Sequence, residues 1–316
     1  MVTLGLLSNE RMPRGINWTL LSDPLFTAIE NITVARRIAP PAGFRLLREF
    51  GSLKAAVRGV DALFAMNGKV RPSPEFQLAA RLAQPQIKAV FYVDPWAHLL
   101  DRIAESDRKH THHLAFIPYR EAYEALSAGT GGARYRYLPF AADTRVFRPR
   151  GGERDIDIFW MGRRDEKLHR ALLALSEKHG LNYQYRETTG FIENPDELGA
   201  LAARARYFVA TPPPPERSGG FSPLVMRYLE GLAAGCRLIG TLPASGEFEA
   251  ILPRASILEV APDGSDLEAR YLADQDDETG GAASAEAQRI IHEKHGWDAR
   301  ARTIVEAIDA ALEGKA

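Results

Sequence analysis

Short apolar runs alternate with amphipathic helical stretches along this chain, and that rhythm constrains its fold more than any other feature. Residues 2–7, 62–66, 88–93, 113–117 and 135–138 read as strands, and residues 20–31, 53–58, 74–83, 97–106 and 120–128 read as helices. Strands separated by helices pair in parallel, because a parallel pair needs a long crossover and a helix supplies it. The rhythm resumes with strand 156–161, helix 165–179, strand 182–186, helix 195–203 and strand 207–210, and a last strand is expected near 257–260. A length of 316 residues, 45% of them hydrophobic, supports about two domains with ordinary cores. The chain is therefore expected to form two doubly wound α/β units. Residues 39–50 match neither pattern, and no internal repeat stands out.

Composition then removes several functions. Forty Lys and Arg against 41 Asp and Glu leave no global field for nucleic acid, so no nucleic-acid partner is expected. The run at residues 2–7 is too short for a signal peptide, and no later run approaches the ~20 apolar residues of a membrane span. A cytoplasmic protein is expected, at most peripheral to the inner face of the membrane through Arg36, Arg37, Arg45 and Arg48; a solvated basic face is the plainer reading. The single cysteine, Cys236, reads as packing at a helix-to-strand junction.

Cofactor and metal motifs are missing. The first strand is not followed by G-x-G-x-x-G, so no dinucleotide fingerprint is present. Lys109-His110-Thr111-His112-His113 has no carboxylate or thiolate frame for a metal and reads as a solvated turn. Asp155-Ile156-Asp157 begins a strand, whereas a metal-binding D-x-D must end one. No cofactor and no metal are expected.

The stretch 208–241 is the richest in chemistry: an apolar strand, a loop of four prolines and two glycines, a helix, and a second strand. Ser222 suits the helix N-cap, Pro223 its first turn and Gly235 its stop. Pro223, Arg227 and Glu230 then share one face and Leu224, Tyr228 and Leu232 another. Free amides near Gly219, Gly220 and Phe221, with a helix dipole behind them, would attract phosphate oxygens. Arg227 would fork onto the same anion, and Glu230 would accept sugar hydroxyls. A nucleoside diphosphate sugar has both parts. A surface i,i+3 ion pair on an amphipathic helix is the alternative.

Ligands of parallel sheets gather at strand C-termini, so those loops supply the remaining candidates. In the first half they are Asn9, Arg14, Asn17 and Trp18 after the first strand, then Asn67, then Asp94 and His98. The last two would place a carboxylate and an imidazole together for acid–base or acceptor-orienting work; Asp94 as a helix cap and His98 as an exposed first-turn residue are the alternative. In the second half, Gly162-Arg163-Arg164 with Lys167 ends a strand. Cations there suit a leaving diphosphate, whose charge grows as a glycosidic bond breaks.

Several of these segments carry a resemblance. Arg227-x-x-Glu230-x-x-Ala233-x-Gly235 resembles the R-x-x-E-x-x-A-x-G signature of the group-one glycosyltransferases, especially their spore-maturation-protein-like branch. Many relatives carry a second Glu where this chain has Ser222. Leu138-Pro139-Phe140-Ala141-Ala142-Asp143 through Phe147 and Pro149 resembles the family's L-P-x-G-x-D-x-x-x-F-x-P linker, with Ala141 for the glycine. Gly162, Arg163 and Lys167 resemble its G-[RK]-x(n)-K motif, and His295-Gly296-Trp297 with Arg300 resembles its closing segment, with Gly296 departing. Asp94-Pro95-Trp96 resembles a D-D-P-W-like segment of the same branch, with Val93 for the first Asp.

The resemblance implies the GT-B architecture: two Rossmann-like domains facing one cleft, an acceptor-side domain at 1–145, a donor domain at 146–290 and a C-terminal helix at 291–316 crossing back to the first. It implies a hexosyltransferase-type enzyme that moves a sugar from a nucleotide donor, UDP or GDP above all, to a glycan, lipid or small-molecule acceptor. Configuration would be retained and no metal bound. Glu230 would hold the donor ribose, the preceding loop the diphosphate, and Arg163 and Lys167 the leaving group. A nucleotide-sugar epimerase on the same fold and a non-catalytic nucleotide-binding partner in envelope glycan assembly stay open.

Overall fold

The computed structural model describes residues 2–7, 20–38, 50–67, 74–129, 131–187 and 194–314. They divide into two compact units: the first takes in the opening strand, Leu21–Pro139 and the residues from Asp298 onward, and the second takes in Leu20 and Phe140–Trp297.

In the first unit β1 (Thr3–Leu7), α1 (Ser22–Glu30), β2 (Val34–Ile38), α2 (Phe50–Ala56), β3 (Ala62–Asn67), α3 (Pro74–Ala83), β4 (Ile87–Tyr92), α4 (Leu100–His110), β5 (Leu114–Ile117), α5 (Arg120–Ser127) and β6 (Tyr135–Tyr137) follow one another. The six strands are parallel, in the order β2-β1-β3-β4-β5-β6. Central strands covered on both faces are near-continuous apolar runs, and β3 is buried at every position and apolar up to Asn67, its last residue. β2 has the sequence V-A-R-R-I and lies at the edge of the sheet with Val34, Arg36 and Arg37 exposed. An edge strand needs no apolar run, which is why sequence periodicity misses it.

The second unit contains β7 (Ile156–Met161), α6 (Glu166–His179), β8 (Tyr183–Arg186), α7 (Pro195–Arg204), β9 (Ala205–Ala210), α8 (Pro215–Ser218), α9 (Met226–Ala233), β10 (Arg237–Gly240), α10 (Glu247–Ile251), β11 (Ile257–Glu259), α11 (Leu267–Asp274) and α12 (Glu278–Lys294). Its five parallel strands are ordered β11-β10-β9-β7-β8. Alternate strand residues feed two cores. Phe159, Phe208 and Leu238 pack with Tyr228, Leu229 and Leu232, while Ile158, Trp160, Val209 and Ile239 pack with Leu168, Leu172 and Leu267. The final helix, α13 (Trp297–Glu313), begins with Trp297 in this unit, whose Nε1 donates to the Leu20 carbonyl at 3.1 Å; from Asp298 it belongs to the first unit. There Arg300 Nε donates to the Pro139 carbonyl at 2.7 Å, and burial pushes the Arg300 guanidinium down to about 10.

Two expectations need correction. The helix expected from Ser222 begins only at Met226, with Val225 still extended at φ −94°, ψ 163°. Tertiary bonds win over local capping: Ser222 Oγ accepts from the Ala244 amide at 2.9 Å, and the Leu224 amide donates to Glu247 Oε2 at 2.9 Å. The histidine run is packed rather than solvated. Thr111 ends α4 in the left-handed region, and His112 turns inward with Nδ1 2.6 Å from Asp107 Oδ1, which also accepts from Tyr92 Oη at 2.5 Å. His113 Nδ1 accepts from the Lys88 amide at 2.9 Å.

Gly231 sets how closely α9 approaches its sheet: a Cβ there would lie 2.6 Å from the Phe208 ring and 2.8 Å from Leu238. Gly231→Ala gains about 1 kcal/mol of helix propensity, but the clash with two buried side chains costs about 1–3 kcal/mol. A net loss of about 1 kcal/mol is expected in urea denaturation of the full chain, and an unchanged midpoint would contradict the close approach.

Candidate functional site

In each sheet strand order reverses once, between β1 and β3 and between β7 and β9. The C-terminal ends flanking such a reversal open outward, because the crossovers leave in opposite directions, and ligands of doubly wound sheets bind there. In the second unit the loops in question are the one after β7, which holds Gly162 and Arg163 and leads into α6 with Lys167 in its first turn, and the one after β9, which leads through α8 into α9.

Gly162 turns the chain out of β7 at φ +88°; its amide donates to the Arg186 carbonyl at 2.9 Å, and its carbonyl accepts from Tyr185 Oη at 2.9 Å. Asp165 then caps α6, its Oδ1 accepting from the Lys167 amide at 2.9 Å and the Leu168 amide at 3.1 Å. Arg164 is engaged: it stacks on the Tyr185 ring at 4.8 Å, donates to Glu166 Oε1 at 2.7 Å and lies 3.3 Å from His169 Nε2. Arg163 in the loop and Lys167 in the first turn of α6 are both exposed. Among the described residues no carboxylate pairs with the Arg163 guanidinium, so its charge faces solvent.

Arg227 stands in the first turn of α9 and donates from Nη1 to the Arg163 carbonyl at 2.7 Å, which ties that helix to the loop after β7. One turn further, Glu230 is 3% exposed. No described residue donates a hydrogen bond to its carboxylate. Burial pushes the carboxyl up to about 8; the Arg227 charge opposes that rise and the Asp143 carboxylate adds to it. Asp143 is itself buried and gripped by Arg145, with Nε 3.0 Å from Oδ1 and Nη2 3.1 Å from Oδ2. A buried carboxyl that lacks donors stores interaction energy for a ligand that brings them, and hydroxyl groups qualify.

The glycines play a different part from the one expected. The amides of Gly219 and Gly220 both close α8 by donating to the Pro215 carbonyl, with φ of +68° and +93° respectively. Both amides are thus engaged within the chain itself. The Phe221 amide has no partner among the described residues. Ser222 is occupied with Ala244, as described above.

In the first unit Asn67 ends β3 and is buried, its carbonyl accepting from the Val93 amide at 3.1 Å. Asp94 follows β4 and caps no helix. Its Oδ1 accepts from Tyr119 Oη at 3.1 Å, and Trp96 stacks on the Tyr119 ring at 5.0 Å. His98 is exposed in a 3-10 turn, Ala97–Leu99, and no described contact brings it to Asp94. Asn9, Arg14, Asn17 and Trp18 lie outside the described residues, as do Arg45 and Arg48. Arg37 of the expected basic surface pairs with Glu30 and Asp23.

The remaining candidates fall at other places. Asp155 and Asp157 stand at the start of β7, where Asp155 pairs with Arg204 and Asp157 accepts from the Asn182 amide at 2.9 Å. Cys236 is fully buried, its Sγ 3.1 Å from the Ala202 carbonyl and its thiol pushed up to about 11 by burial. Among the described residues no three His, Cys, Asp or Glu side chains form a metal-binding group, and no described helix is long and apolar enough to cross a membrane. Sequence reasoning gave Asp143 no part in the site, although it was visible as the acid of the linker motif, and it took Glu247 only as the end of a segment, 242–247, that flanks the donor pocket.

No protein-family model and no curated protein matches the sequence. Solved structures do. The chain is similar to a sucrose-phosphate synthase from Thermosynechococcus elongatus, with a TM-score of 0.60 at 12% identity over 99% of this chain and 100% of that one. It is also similar to a chain in the structure of accessory secretory protein 1, 2 and 3 from Streptococcus pneumoniae, with a TM-score of 0.53 at 10% identity over 80% of this chain and 53% of that one. At such identities the likeness is one of fold: two Rossmann-like α/β domains of the GT-B architecture.

Proposed function

We propose that the second unit binds a nucleoside diphosphate sugar and that the protein transfers the sugar to an acceptor, with retention of configuration and without a bound metal. One observation carries this reading: Glu230 is a buried carboxyl without a described donor, one helical turn from Arg227, at the strand reversal of the second sheet. The name of one structural neighbour, a sucrose-phosphate synthase, agrees with sugar chemistry on this fold.

The donor's ribose hydroxyls donate to Glu230, and its diphosphate meets the positive charge of Arg227, Arg163 and Lys167. Those cations stabilise the leaving diphosphate as the glycosidic bond breaks, the task a divalent ion performs elsewhere. With a retaining course, which the group-one resemblance carries, the departing phosphate oxygen takes the acceptor's proton, so this chain need supply no strong base. Asn67, Asp94 and His98 are assigned to the acceptor, together with Asn9, Arg14, Asn17 and Trp18.

Calorimetric titration with UDP, GDP, ADP, dTDP and CMP in metal-free buffer tests the donor site. One diphosphate should bind in preference, UDP or GDP by this reading, and the one that does names the donor class. Failure of all five would overturn the assignment. Incubation of the matching nucleotide sugars without acceptor then separates the reactions: a transferase leaves the sugar configuration intact, and an epimerase inverts a ring carbon.

A further inference from the structure

The loop that leads into α9 is held by an acid that the reaction itself does not use. Glu247 is 1% exposed, although it stands in the first turn of a short surface helix. Its Oε2 accepts from the Leu224 amide at 2.9 Å and from Ser245 Oγ at 2.8 Å. Beside it, the Ala244 amide donates to Ser222 Oγ at 2.9 Å and the Ser245 amide to the Ser222 carbonyl at 3.4 Å. These bonds join residues 222–224 to residues 244–247, two loops that follow the neighbouring strands β9 and β10. They also account for the late start of α9: the Leu224 amide, which would otherwise face an unformed first turn, has a carboxylate as its partner.

From this geometry we propose that Glu247 is a positioning residue of the nucleotide-sugar site, a clasp that sets where α9 begins and so where Arg227 and Glu230 stand. The proposal rests on the donor-site reading given above. Arg227 reaches the Arg163 carbonyl from the first turn of α9, and Glu230 lies one turn behind it. If residues 222–225 were to coil into the helix, as their sequence favours, the entry to α9 would rotate and the Arg227 guanidinium would leave the loop after β7. A hydrogen bond to a buried carboxylate is strong enough to hold the extended form against that local preference.

The test uses the full chain and the nucleoside diphosphate that binds the wild type in the calorimetric panel. Glu247→Ala should weaken binding about tenfold at a temperature where circular dichroism shows it folded. Glu247→Gln, which keeps one oxygen for the Leu224 amide, should stay within about threefold, a rescue that a merely destabilised fold would not show. Ser245→Ala, which removes one bond of the clasp, should weaken binding about threefold. Wild-type affinity in folded Glu247→Ala overturns the proposal, and if that variant does not fold, wild-type affinity in Ser245→Ala overturns it instead. Hydrogen exchange at the Leu224 amide separates the two failures. Exchange that is fast in the alanine variant and slow in the wild type shows that the clasp exists even if no nucleotide binds, in which case the donor-site reading falls and the clasp is only structural.

Discussion

Glu230→Ala should weaken nucleotide binding by about 2 kcal/mol, roughly thirtyfold, because a charge-assisted pair of hydrogen bonds is lost and nothing replaces it. The expectation follows from burial and from the lack of described donors on that carboxyl. It also carries a pH signature. In the free protein burial holds the carboxyl near 8 against an ordinary 4.5. Ribose hydroxyls donate to the ionised form, so binding favours loss of the proton. Affinity should therefore rise with pH from about 7 to 8 and level off above, in a range where the diphosphate is already ionised.

Glu230→Gln keeps the shape and removes the titration, so its affinity should be flat across the same interval. A wild-type profile as flat as that of the glutamine variant would show that Glu230 does not meet the ligand. Without ligand the sign reverses. Between 4.5 and about 8 the folded protein holds a proton that the unfolded chain has released, so stability falls as pH rises through that window.

Arg237→Ala should cost more than any other single change considered, about 3–5 kcal/mol of stability. Arg237 Nη2 lies 2.7 Å from Asp274 Oδ1 and 2.9 Å from Asp277 Oδ2. The Asp274 side chain is 3% exposed and also accepts from Tyr207 Oη at 2.7 Å. Burial holds this carboxyl above its ordinary value; the Tyr207 hydroxyl and the Arg237 charge offset only part of that rise, and Asp277 adds to it. Removing the arginine strands a buried carboxylate, and at this size the loss corresponds to roughly 10 °C in melting temperature. The double substitution Arg237→Met, Asp274→Asn removes both charges and should recover most of the loss, which a thermal melt of the full chain would show. Melting of the single variant within a few degrees of the wild type would contradict this account. The same contact explains a glycine in the first turn of α12: a Cβ at Gly280 would overlap the Arg237 guanidinium.

Much of the architecture follows from local pattern. A run such as 62–66 in β3, apolar at every position and too short for a buried helix, reads as a strand covered on both faces, and its alternation with helices favours parallel pairing. The helix carrying Arg227 and Glu230 was legible from spacing and from Gly235 at its end, because i,i+3 geometry depends on nothing distant. β2 was not legible: at a sheet edge polar residues cost little, so V-A-R-R-I leaves no periodic mark.

The chemical character of the site was decided by contacts between residues far apart in the chain. Ser222 is a good cap by local rules, yet the Ala244 amide takes its hydroxyl. Gly219 and Gly220 look ready for phosphate, yet a four-residue helix consumes their amides. Of two adjacent arginines Arg164 is engaged by Tyr185, Glu166 and His169, whereas among the described residues no carboxylate pairs with Arg163. Spacing placed Glu230 on a helix face; the burial that raises its proton affinity arises only when that face packs into the folded unit. Residue spacing thus determined which groups this protein has within one helical turn of each other. Burial and long-range hydrogen bonding, which no short window of sequence encodes, determined which of those groups remain available to a ligand.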